Sequence, residues 1–187
     1  MAPTRVVIDA CVLYDAAVRD LLLRIGMAGL IEPIWSPRIL DECFAALGRN
    51  RPDLTPEQLQ LLRAAMSRAF PRAEFRADAV SIVLPDLKDL HVVGTAVAAS
   101  APLICTYNLQ DFPADSLRPF GLHAQHPDAL ALDLLGAHTD AVLAVLVEHA
   151  RALRRPPTTM DRLLATLEAR GLHTFAAAAR DELAKRG

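Results

Sequence analysis

Val6, Val7 and Ile8 form a β-branched run that is closed by Asp9. A short strand that is apolar on both faces needs cover on both faces, so this run is expected as a buried strand of a parallel sheet. An acid at the C-terminal end of such a strand stands where open α/β sheets build their sites. The residues that follow keep the same rhythm. Ala16 to Ala28 repeats apolar residues at helical spacing through Leu21, Leu22, Ile25 and Met27, and Gly29 is placed to end that helix. Leu30 to Trp35 predicts a second short strand, which Pro33 confines to an edge.

Ser36-Pro37 is a strong helix start, a hydroxyl cap followed by proline at the first helical position. The helix it opens carries Ile39, Leu40, Cys43, Phe44, Ala46 and Leu47 on its apolar side, with Asp41 and Glu42 flanking that stripe. Thr55-Pro56-Glu57-Gln58 reads as a capping box for a helix reaching about Ala69. After Leu84-Pro85-Asp86, the Ala- and Val-rich segment from His91 to Ser100 predicts a largely buried helix. A third strand is expected over Leu103 to Tyr107. Strands alternating with helices predict a parallel sheet with helices on its faces.

The last third has another texture. Pro127 to Leu135, Ala141 to Leu153 and Met160 to Ala169 read as separate amphipathic helices, divided by Pro156-Pro157 and Gly171, and a final Ala-rich helix begins near Thr174. The expected organisation is an α/β domain over residues 1–127 and a helical C-terminal extension over 128–187. The extension carries no chemistry legible in its residues.

Three acids fall at strand ends or helix starts: Asp9, Asp89 and Asp111, with Glu42 in the first turns of its helix as a fourth. Hard oxygen donors suit Mg²⁺ or Mn²⁺, and like-charged carboxylates tolerate one another when a cation lies between them. Spacing alone does not choose Glu42 over Asp41. The formal charge of −2 lacks the basic footprint of a nucleic-acid enzyme. Two divalent cations, however, would cancel about four negative charges at such a cluster.

These motifs together resemble a known family. The run Val6 to Tyr14, then Arg19 to Leu22, Trp35 to Glu42, Asp86 to Val93 and Thr106 to Pro113 is similar to a bacterial PIN domain of the toxin (VapC-like) type. The resemblance extends from about Val6 to Pro127. It implies a three-layer α/β/α fold with a short, mainly parallel central sheet, and a metal-dependent endoribonuclease, often the toxin of a toxin–antitoxin pair. It also implies Asp9, Glu42, Asp89 and Asp111 as the catalytic, metal-binding quartet for two Mg²⁺ or Mn²⁺ ions, with Asn108 and Asp86 in support. The partners it implies are an RNA substrate and a small antitoxin protein, with a homodimer as a further option. Two positions depart from the pattern. Cys11 stands where the first motif commonly carries Asn, and Lys88 where many relatives carry another acid; both bear on metal affinity and on which metal is preferred. Lys88 is a candidate for a substrate phosphate.

Two other readings compete. One is a PIN-like RNA- or protein-binding module that has lost catalysis. The other is a phosphatase with an aspartyl nucleophile, against which Cys11 speaks, since such enzymes usually carry a second Asp at that position. His91, His123 and His126 show no metal-type spacing and are expected in packing or at the surface. Cys11, Cys43 and Cys105 are expected as small buried apolar residues without a disulfide. With no secretion-type leader, no run of membrane-spanning length and odd cysteines, the expected location is the cytoplasm, away from any membrane.

Overall fold

The computed structural model describes residues 3–77, 80, 82–153 and 158–186. Pro156 and Pro157, expected to separate two helices, lie outside the described residues. Contacts divide the chain into two compact units, one of residues 1–14 and 31–125, the other of residues 15–30 and 126–187.

The first unit is built on a four-stranded sheet of order β2-β1-β3-β4, with every neighbouring pair parallel. Its strands are β1 (Thr4–Ile8), β2 (Ile31–Ile34), β3 (Leu103–Cys105) and β4 (His123–Gln125). Val6, Val7 and Ile8 are fully buried, as the β-branched run requires of a central strand. Val6 is in register with Pro33 on one side and Leu103 on the other. Pro33 is tolerated because β2 is an edge strand. Helices flank the sheet, giving the α/β/α architecture that the alternation of elements predicts.

Helices follow the strands of this unit. α1 (Ala10–Tyr14) begins directly after Asp9, while α2 (Ala16–Met27) belongs to the second unit. α3 (Pro37–Asn50) starts at Ser36, whose hydroxyl accepts from Ile39 N–H at 3.3 Å. α4 (Pro56–Ala69) carries the reciprocal Thr55–Gln58 capping box. α5 (Leu90–Ala98) buries Val92, Val93, Thr95 and Ala96 completely. It stops short of the expected end because Ala99 caps it and Ser100 turns to a left-handed φ of 50°. The third strand is shorter than expected, since Thr106 leaves the sheet after one last bond, its N–H donating to Gln125 O at 3.0 Å. A four-residue helix, α6 (Ala114–Leu117), leads toward β4.

Among the described residues the regular elements of the second unit are all helices: α2, α7 (Pro127–Ala137), α8 (Thr139–Ala152), α9 (Met160–Ala169) and α10 (His173–Ala184). Gly29 follows α2 at φ 74°, a conformation that costs glycine nothing. Leu21, Leu22, Ile25, Leu146, Leu164, Leu167 and Phe175 make its dry interior. No helix among the described residues is long and apolar enough to cross a membrane.

Candidate metal centre

Order β2-β1-β3-β4 means that the chain leaves β1 toward one edge and β3 toward the other. The crevice beyond their C-terminal ends is the topological switch point at which open parallel sheets bind ligands. Asp9 lies there, extending β1 through its N–H to Cys105 O at 3.0 Å. Its carbonyl accepts from Val12 and Leu13, so the same residue opens α1. Asp9 is only 7% exposed, and its carboxylate is fixed by three donors. Ala10 N–H reaches Oδ1 at 2.6 Å, and the Thr106 hydroxyl and Cys11 thiol reach Oδ2 at 2.7 and 3.2 Å.

Thr106 escaped the sequence reading because a threonine at the end of a strand looks like an ordinary β-former. Fully buried, it donates to Asp9 and accepts from Asn108 N–H at 3.1 Å, coupling the two strand ends. Cys11 differs from the expectation of an inert apolar filler. Burial first, then the Asp9 charge, pushes its thiol up to about 12, so it remains an S–H donor to Asp9 and is no thiolate nucleophile.

Asp89 ends a short 3-10 turn (Leu87–Asp89) at the entry to α5 and makes no capping hydrogen bond. Its carboxyl is therefore not consumed by the helix start. Burial, and then the charges of Asp9, Asp111, Asp86 and Glu42, push it up to about 6. The structure thus gathers all four quartet acids and Asp86 within electrostatic reach of one carboxyl. Asp86 caps the 3-10 turn through Lys88 N–H at 2.8 Å. Asp111 closes the turn after β3, its N–H donating to Asn108 O at 3.0 Å, and the Asn108 side chain is exposed.

The two neighbours on α3 part company. Asp41 is exposed and bound to Arg63 of α4 at 2.6 Å. Glu42 receives Arg38 Nε on Oε1 at 3.1 Å and has His91 Nε2 3.2 Å from Oε2. Beside Glu42 a cleft of about 290 Å³ opens between α1 and α3, lined by Tyr14, Ala46 and Asn50 among others. Lys88 is exposed next to Asp89.

As the side chains stand, no three His, Cys, Asp or Glu groups among the described residues come close enough to grip one ion. The donor set nevertheless fits a divalent cation. Asp9, Asp111, Asp86 and Glu42 all act on the Asp89 carboxyl, and hard oxygen donors of like charge are the set that a divalent cation reconciles.

Known sequences identify the family. The PIN-domain model matches residues 5–110 and the VapC50 C-terminal domain model matches residues 127–181. A Mycobacterium tuberculosis protein named "Putative ribonuclease VapC50" is 38% identical over 90 residues, 48% of this chain and 53% of that relative, so the match spans about half of the relative's length. No solved structure matches. With more than half of its length matched by the family model, and a VapC50-type match over its last helices, this chain belongs to the PIN-domain family and is VapC-like.

Proposed function

We propose that the protein is a metal-dependent endoribonuclease, acting as the toxin of a toxin–antitoxin pair, with Asp9, Glu42, Asp89 and Asp111 holding two Mg²⁺ or Mn²⁺ ions and Asp86 and Asn108 supporting them. The observation that carries this reading is Asp89, a carboxyl pushed up to about 6 among four other acids at the sheet's switch point. Carboxyls pushed up by neighbouring acids in this way gather where a cation or a reaction uses them. The name of the mycobacterial relative supports ribonuclease activity.

Bound at the cluster, divalent cations supply Lewis acidity to a phosphodiester and lower the pKa of a water. The protein's own part is positional. Thr106, Cys11 and Ala10 N–H fix Asp9 so that it cannot swing away. Half-exposed Asp89, Asp111 and Glu42 are left able to close on an ion. The cleft beside Glu42 leaves room for a single-stranded segment whose bases are splayed out. Residues 1–127 then form the nuclease domain and 128–187 its extension, with RNA as substrate and a small antitoxin as the protein partner in the cytoplasm.

Purified protein incubated with total bacterial RNA in Mg²⁺, Mn²⁺ or EDTA, beside Asp9→Asn and Asp89→Asn, tests this. Discrete cleavage that needs metal and disappears in both variants is expected. RNA bound but never cut, with any metal, makes the protein a binding module instead.

A further inference from the structure

α1 packs on α3 and leaves between the two helices the cleft of about 290 Å³. Its walls follow from helical spacing. Ala10 and Tyr14 are four residues apart on α1, and Glu42, Ala46 and Asn50 are four apart on α3, so each set lies along one helix face. Alanine at positions 10 and 46 leaves the space that a longer side chain would fill. Glu42, and Cys11 with its bond to Asp9, place one end of the cleft at the acid cluster. Asn50 lines it about 12 Å further along α3, at 1.5 Å per residue. Tyr14 is half-buried and Asn50 exposed, and neither side chain is held by a hydrogen bond among the described residues.

We propose that this cleft seats one unpaired adenine of the RNA strand, with the Tyr14 ring stacked on the base and the Asn50 amide bonded to its edge, and so sets where the strand is cut. The inference rests on the ribonuclease reading and names the nucleotide that the site reads. Three features carry it. Bases of a single strand are held by stacking on aromatic rings and by hydrogen bonds to their edges. The cleft offers one ring and one amide among small apolar side chains.

An amide presents a donor beside an acceptor, which matches adenine, whose amino group donates beside a ring nitrogen that accepts. Cytosine carries the same pair on a single ring, and the larger face of a purine stacks better on Tyr14. The charges, finally, suit a polyanion. Arg38 covers Oε1 of Glu42 at 3.1 Å, and Arg49 stands exposed in the last turn of α3, one residue before Asn50.

Cleavage of a random-sequence single-stranded RNA pool by the full chain in Mg²⁺ or Mn²⁺, read by sequencing the new ends, tests the inference. Adenine is expected at one fixed position relative to the cut. Asn50→Ala should weaken that preference about tenfold, the discrimination that one bidentate base contact gives. Asn50→Asp, which only accepts, should exchange adenine for guanine, whose Watson–Crick edge offers two adjacent donors. Tyr14→Ala should raise KM about tenfold with little change in kcat, and Tyr14→Phe, which keeps the ring, should leave both as they are. Cuts without base preference, or an adenine preference that survives both Asn50 variants, overturn the proposal and leave the nuclease reading standing. A wild type that cuts nothing in either metal overturns that reading, and fluorescence anisotropy with A, C and U oligonucleotides then decides on the cleft. An adenine preference lost in Asn50→Ala upholds it; one that persists there, or equal or absent binding of the three, overturns it.

Discussion

Asp20 in the helical unit and Asp89 in the α/β unit are both partly buried aspartates, yet their surroundings push them in opposite directions. For Asp20 burial pushes the carboxyl up, but the hydrogen bond and charge of His149, and then Arg24, outweigh it and hold the group below its ordinary value. His149 Nε2 is 2.8 Å and Arg24 Nε 3.2 Å from the same oxygen. Around Asp89, burial and four like charges act together and push it up. The helical unit pairs its buried acid with opposite charge, as a structural ion pair does. The α/β unit instead leaves Asp89 among like charges, as a site that awaits a cation does.

The largest effect expected on this contrast is catalytic. Asp89→Asn should reduce RNA cleavage about 100-fold or more, since metal-held charge stabilisation is worth several kcal/mol; an active Asp89→Asn protein would remove the functional half of the comparison. His149→Ala comes next, leaving Asp20 with Arg24 alone. Breaking a fully buried pair costs about 3–5 kcal/mol. Because the Asp20 side chain is 40% exposed, a loss of about 2 kcal/mol is expected in urea unfolding. An unchanged midpoint would mean that the pair is not structural.

A third test stays in the helical unit. α10 has no capping side chain of its own at Leu172. Asp128 of α7 supplies one instead, accepting from Thr174 N–H, the Thr174 hydroxyl and Phe175 N–H at 3.1, 2.6 and 2.8 Å. Asp128→Ala should cost about 1 kcal/mol, as the loss of a helix cap does, read by chemical unfolding.

The smallest effect is also the one whose sign separates the two units. Asp89 holds its proton to about pH 6 in the folded state and to its lower ordinary value when unfolded. Its contribution to metal-free stability therefore falls as pH rises from the ordinary carboxylate range to about 6, and the deficit is complete above that. Asp20 is lowered, so its contribution is present above the ordinary range and is lost as pH falls through it. Metal-free melting across pH 3 to 8 should show both limbs. Asp89→Asn should flatten the upper one and add slightly to stability at pH 8, and saturating Mn²⁺ should abolish it.

Much of the frame was legible because local rules and the global fold agree. The β-branched run became the central strand, Pro33 fell on an edge, and Ser36, Thr55 and Gly29 did what their side chains or backbones favour. The missing pieces lack local signals. β4, His123–Gln125, has neither alternation nor a β-branched residue and is a strand because β3 pairs with it. The difference between Asp41 and Glu42 lies in Arg63 and in Arg38 with His91, which come from other turns and other helices. Thr106 and His91 are ordinary residues in sequence, and only the tertiary structure brings one to Asp9 and the other to Glu42.

The bond from Thr106 to Asp9 joins residues 97 positions apart, and this dates the assembly of the centre during synthesis. Chains fold from the N-terminus as they emerge, yet a nascent chain that ends before Thr106 has no donor for the second carboxylate oxygen of Asp9 other than Cys11. One that ends before Asp111 lacks an acid of the cluster as well. The long span between the two central strand ends therefore works as a timer, so that the cluster is completed only after the segment from Thr106 to Asp111 has been made.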